Sequence, residues 1–180
     1  MIPNNTDNRP LLVGMFKEKD HAEAAYAELR RRNYTTEEIN VVMSSTTRDK
    51  YFTGKEAHHD GLGNKALEGT GVGSAVGGVI GAIAGALAAI GTSIVIPGLG
   101  LVIAGPIAAA LAGAGAGGVT GGLIGALVGL GIPEERAKIY REGIQNGEIV
   151  ISVHPHNEAD VNDLTQKWHE FHSEGIAAIR

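Results

Sequence analysis

The sequence predicts an α+β fold: a ferredoxin-like α/β sandwich (β-α-β … α-β-α-β) with an apolar glycine-zipper helical hairpin inserted in it. Three observations point there. Strand and helix patterns alternate at both ends of the 180-residue chain. Between them, from Gly69 to Ile132, lie 64 positions without a charged residue, holding twenty of the 27 glycines. Within that block, glycine recurs every fourth residue in two separate runs. The average composition hides this contrast, because a charged head and an uncharged middle cancel to a mean hydropathy near zero. The absence of cysteine excludes a disulfide framework, a thiol nucleophile and thiolate metal sites. A net charge of −5 lacks the basic surplus of a nucleic-acid binder, so no nucleic-acid partner is expected.

The N-terminal polar part comes first. Residues 1–10 carry no apolar run and read as a disordered tail rather than a secretory leader. Leu11 to Phe16 is a short apolar strand. Asp20 with Glu23 three residues on has the spacing of a capping box. Ala22, Ala25, Tyr26 and Leu29 then follow at helical spacing, and Asn33-Tyr34 ends the helix. Ile39 to Met43 is β-branched and bounded by polar residues, hence a second strand. Residues 44–65 are rich in Ser, Thr, Gly, Asp and His and read as a loop or linker, so 11–65 forms the first half of the head.

The middle, 66–131, carries the strongest pattern. Gly69, Gly73, Gly77, Gly81 and Gly85 form one row, and Gly113, Gly117, Gly121, Gly125 and Gly129 form the other. Four residues is close to one helical turn, so each row makes a stripe free of side chains, against which another helix can pack closely. Five glycines cost a helix roughly 5 kcal/mol relative to alanine, which only a bilayer or tight packing offsets. The expected helices, 66–90 and 106–130, are each about 37 Å long against the ~30 Å of a hydrocarbon core. The tip between them, around Ile96, Pro97, Gly98 and Leu99, is itself apolar, whereas an ordinary transmembrane loop is polar. It is expected to insert without crossing, to cross and dip back, or to be buried in an assembly. Lys65, Arg136 and Lys138 flank the block and would hold both ends on the cytoplasmic face, although Glu68, Glu134 and Glu135 blur that signal.

The second half of the head, 132–180, begins at Pro133-Glu134-Glu135, a helix start whose acids suit the positive end of the dipole. Gly147 ends that helix, and Glu148 to Val153 is a strand. Asn157 caps a helix over 158–172 with Val161, Leu164, Trp168 and Phe171 on its apolar face, and Ile176 to Ile179 is a last short strand. Neither half has enough strands to stand alone, so the two are expected to fold onto each other.

The residue chemistry is sparse. His154 with His156, and His169 with His172, are spaced to share a strand face and a helix face. Together they are low-odds metal ligands set against the plainer reading of solvated histidines. Gly71 to Gly77 holds most of a dinucleotide pattern, but no strand precedes it and no acid follows at the required distance, so no cofactor is expected. No nucleophile elbow, phosphate-binding loop or zinc-protease helix occurs, and no small-molecule substrate is evident.

The segments VGMFKEKDHAEAAYAEL, IPGLGLVIAGP and LVGLGIPEERAKIYREGIQNGEIVISV, together with the glycine rows, resemble the bacterial general-stress protein family with a glycine-zipper hairpin. Members carry labels such as heat- or low-temperature-induced or membrane protein. The likeness spans roughly 11–155 and is most specific over Gly131 to Val153. It implies a stress-related role without an established enzyme activity, and it supplies no catalytic residues. The expectation is therefore a non-enzymatic protein that assembles with itself through the hairpins, in or on a bacterial inner membrane with a cytoplasmic head. The alternatives are a soluble homo-oligomeric particle or filament with the hairpins inside, and a metal or small-ligand sensor using the His-rich C-terminal part.

Overall fold

The computed structural model describes residues 9–53, 83, 85, 94–96, 100–106, 108, 122–129 and 131–179. Their elements, in chain order, are β1 (Leu11–Phe16), α1 (Lys19–Arg31), β2 (Ile39–Ser44), a short α2 (Ser45–Arg48) followed by a π-helical turn (Asp49–Thr53), β3 (Ile94–Ile96) and β4 (Leu101–Ala104). They continue with α3 (Gly122–Gly129), α4 (Glu134–Gln145), β5 (Ile149–Val153), α5 (Glu158–Glu170) and β6 (Glu174–Ile179).

The strands form one six-stranded sheet in the order β3-β4-β2-β5-β1-β6, and every neighbouring pair is antiparallel. β1 and β2 do not touch each other; β5, from the far end of the chain, lies between them, with Leu12 opposite Val153 on one side and Val42 opposite Val150 on the other. The two halves of the head are thereby joined strand by strand.

Side chains alternate across this sheet with the period of two that a pleat imposes. Leu12, Phe16, Ile39, Val41, Met43, Val102, Ile149, Ile151 and Val153 face one side, where α1 and α5 lay down Ala22, Ala25, Tyr26, Leu29, Leu164 and Trp168. Leu11, Val13, Met15, Val42, Leu101, Ile103 and Val150 face the other, covered by Ala137, Tyr140 and Ile144 of α4 and by Leu123 and Leu127 of α3. The sheet is buried on both faces, which is why its inner strands read as nearly continuous apolar runs.

Local signals explain the ends. Asn33 takes a left-handed conformation (φ 64°) and stops α1, as a short polar side chain tolerates. The Asn157 side-chain oxygen accepts the Asp160 amide at 2.9 Å and caps α5. Gly14 sits where the β1–β6 register shifts, and the Trp168 ring occupies the space a side chain there would need: an added Cβ would lie 2.6 Å from its Cε3.

Four expectations change. The Asp20–Glu23 capping box does not form: α1 starts two residues earlier, Glu18 is its N-cap without a side-chain bond, and Glu23 turns into the core. The expected loop after β2 begins as helix instead, because the Ser44 hydroxyl accepts the Thr47 amide at 3.0 Å. β6 begins at Glu174 rather than Ile176. Most consequentially, the supposed hairpin tip is not remote from the head: Ile96 pairs with Leu101 in a β-hairpin, and β4 adds to the head's sheet by pairing with β2.

Candidate functional site

Among the described residues, the glycine-rich block meets the head at three places, each set by residue chemistry. The first is the β3–β4 hairpin. Ile94-Val95-Ile96 and Leu101-Val102-Ile103 are β-branched or apolar runs on either side of Pro97-Gly98, and such runs satisfy their backbone by pairing. Of the four tip residues, Ile96 lies in β3, whereas Pro97, Gly98 and Leu99 lie outside the described residues. The Gly100 carbonyl accepts the Ser45 amide at 2.7 Å, tying the turn to α2. At the exit of β4, Gly105 has φ +98°, and a Cβ there would collide with the Ile39 carbonyl oxygen, so the chain leaves the sheet at a point only glycine can occupy.

The second place is α3. Leu123 and Leu127, four residues apart, are buried against the sheet and α4, while Gly125 and Val128 point away and Val128 is 43% exposed. An added Cβ at Gly125 would meet nothing within 4 Å. The third is Ile83, fully buried in the hydrophobic cluster on the opposite face of the sheet, the cluster that also holds Phe16, Tyr26, Leu29 and Trp168. Two residues on, Gly85 is exposed, with nothing within 4 Å of an added Cβ. The block thus contributes to both faces of the sheet, while Gly85 and Gly125, one from each glycine row, would have nothing within 4 Å of an added Cβ.

Glu23 is the polar part of the third meeting. It is 2% exposed, and its Oε2 accepts the Ile83 amide at 2.9 Å. Beside it, burial pushes the Tyr26 hydroxyl up to about 12.

Of the other predicted positions, Gly129 ends α3, while Gly69, Gly73, Gly77, Gly81, Gly113, Gly117 and Gly121 lie outside the described residues. Among the described residues, no helix is long and apolar enough to cross a membrane.

The histidines are not brought together. His156 and His169 flank the two ends of α5, about 20 Å apart at 1.5 Å per residue. His156 stacks on Tyr34 (ring centroids 4.0 Å apart) and its Nε2 lies 3.2 Å from Glu38 Oε1. His172 falls beyond the helix end, in a left-handed turn (φ 54°), and packs against His21 instead of sharing a helical face with His169. Among the described residues, no group of three or more His, Asp or Glu is arranged to hold a metal ion.

A polar clamp that the sequence did not signal joins α1 to α5. Tyr34 Oη donates to Asp160 at 3.1 Å and accepts the His156 amide at 3.0 Å. Arg32 binds Glu28 at 2.7 Å and reaches Asp160 and Asp163 at 3.6 Å each. Burial alone would raise the Glu28 carboxyl, but Arg32 and Arg31 outweigh it and hold it below the usual range. Glu38 is held low by the Thr35 amide and by His156. These groups are committed to one another, and the cluster contains no activated nucleophile. On the other side of the head, Glu148 Oε2 is buried without a hydrogen-bond partner. Burial, with the Glu174 charge added, raises its carboxyl against the opposing pull of Lys17. Comparison with family models, curated proteins and solved structures found no match to the chain.

Proposed function

We propose that this is a non-enzymatic, stress-related protein that assembles with further copies of itself through its glycine-lined helix faces, at a bilayer. The head is ferredoxin-like and cytoplasmic, and the bilayer is a bacterial inner membrane. What supports the reading of the head is the order β2-β5-β1-β6 of the four strands outside the block, with α1 and α5 as the crossovers on one face. What supports assembly is one observation above all: Gly125 of α3 faces open space beside the exposed Val128 while Leu123 and Leu127 hold the other side of that helix on the head. A glycine on the outward side of an uncharged helix, opposite its anchored leucines, suits close approach by an identical helix.

Gly125→Leu tests it. The position is open, so the head keeps its circular dichroism and thermal stability, while the wild-type assembly is lost in mass photometry. A variant that keeps the wild-type particle size removes the stripe as the joining surface. A soluble particle with the block inside is the second reading. It is favoured by the way Ile83, β4, Leu123 and Leu127 are already covered by the head. A large particle obtained without detergent selects it; extraction from membranes only by detergent selects the bilayer.

A further inference from the structure

We propose that His21 and His172 form a two-histidine site for a first-row transition-metal dication (zinc, nickel or copper) that ties the start of α1 to the end of α5. The two rings come from opposite halves of the head. Their centroids are 4.9 Å apart and their planes are tilted by 50°. His156 lies flat on Tyr34, at 4.0 Å and 13°, but this pair does not stack face to face. The separation is one that a shared ion sets. A metal–nitrogen bond of about 2.1 Å places an imidazole centre about 3.2 Å from the metal, so two rings at about 90–109° on one ion have centres about 4.5–5.3 Å apart.

The backbone gives an independent reason. α5 ends in a Schellman arrangement: the Ser173 amide donates to the Trp168 carbonyl at 2.9 Å, and the His172 amide donates to the His169 carbonyl at 3.0 Å. The left-handed position in such an ending is usually taken by glycine or asparagine, as Asn33 takes it after α1 (φ 64°). After α5 it is His172, at φ 54°. The cap gains nothing from an imidazole, whereas the ring it carries there meets His21. His21 is oriented as well. Its Nδ1 lies 3.8 Å from Glu18 Oε2, and an imidazole with Nδ1 towards a carboxylate offers Nε2 to a metal. The His21 side chain is 32% exposed and His172 is exposed, so a hydrated ion reaches both. Among the described residues no group of three donors assembles, so water fills the other coordination positions and the ion acts as a reversible staple, not a closed structural centre. α1 and α5 cover the same face of the sheet, and the staple resists their parting.

The experiment melts the full chain, freed of metal by a chelator and then dialysed, with and without zinc, nickel or copper(II) alone. Wild type is compared with His21→Ala, His172→Gly and the control His169→Ala. In wild type each metal is expected to raise the midpoint by roughly 5–10 °C at about a hundredfold excess over its dissociation constant, with copper binding tightest. His172→Gly separates the site from the fold. Glycine suits the left-handed position, so without metal this variant melts at or above wild type, yet its metal response is lost. His21→Ala loses the response too, and His169→Ala keeps it. Nitrogen-15 NMR of the imidazoles supplies a readout apart from stability: zinc shifts the Nε2 signals of His21 and His172 together. A wild type that neither melts higher nor shifts these signals overturns the site. A full metal response in His172→Gly or His21→Ala, or its loss in His169→Ala, overturns the assignment by placing the ion on other histidines.

Discussion

Gly14 in the head and Gly125 in the apolar block are the same residue in opposite situations. At Gly14 an added Cβ would lie 2.6 Å and 2.9 Å from the Trp168 ring and 2.7 Å from Ser173 Oγ; at Gly125 it would meet nothing within 4 Å. At Gly14 the head uses glycine to let its own parts close on each other. At Gly125 the block has a face that nothing in the described chain fills. A glycine conserves space at both positions, but only at Gly14 has the chain already spent it.

Three substitutions probe this contrast, from the largest effect to the smallest. Trp168→Ala removes a fully buried indole that packs edge-on to Phe16 at 5.8 Å, and the expected loss is about 4 kcal/mol in urea unfolding. Gly14→Ala pushes a methyl into that rigid ring and costs about 2–3 kcal/mol. In the Trp168→Ala background the cost of Gly14→Ala falls, which a double-mutant cycle reads; additive losses would separate the two residues. Gly125→Ala reverses the sign: it raises the melting stability by up to about 1 kcal/mol, since an open helical site gains propensity without collision. A loss there would show a hidden partner and break the comparison.

The smallest effect distinguishes two buried acids of the head by pH. The Glu148 carboxyl is raised, so its stabilising contribution is fully present below the ordinary carboxylate pKa and is lost as pH rises through the raised value. Glu148→Gln is therefore expected to gain about 1 kcal/mol at neutral pH, and the gain vanishes below about pH 4. The Glu28 carboxyl is lowered, so its contribution is present above the ordinary value and is lost as pH falls through the lowered one. Glu28→Gln is expected to lose under about 1 kcal/mol at neutral pH and nothing in acid. Guanidinium-free thermal melts across pH 3–8 (roughly the span set by carboxylate titration) read both; equal slopes for the two variants would contradict the opposed shifts.

Much of the head was legible because its signals are local. β1, β2 and β5 are apolar or β-branched runs between polar flanks, Asn157 precedes its helix as a cap, and Trp168 recurs on an apolar stripe with Leu164. The β3–β4 hairpin was hidden by its setting. Two β-branched runs around Pro97-Gly98 are a hairpin signal, but inside a long uncharged segment the same residues suit lipid equally well. Glu23 misled for a different reason: its spacing from Asp20 fits a cap, while its inward face becomes visible only when Ala22, Ala25 and Tyr26 are counted around it. The clamp of Tyr34, His156 and Asp160 joins residues more than a hundred positions apart, a distance across which spacing carries no information.

The position of β5 between β1 and β2 sets the order of events during synthesis. The N-terminal half emerges from the ribosome with two strands that cannot pair with each other, and the whole apolar block follows before their shared neighbour is made. At roughly 5–20 residues per second, the stretch from the end of α3 through β5 takes a few seconds to appear. For that interval the block has no completed sheet to rest on. Through those seconds only the first half of its own head, with α1 and the free edge of β2, is there to cover it.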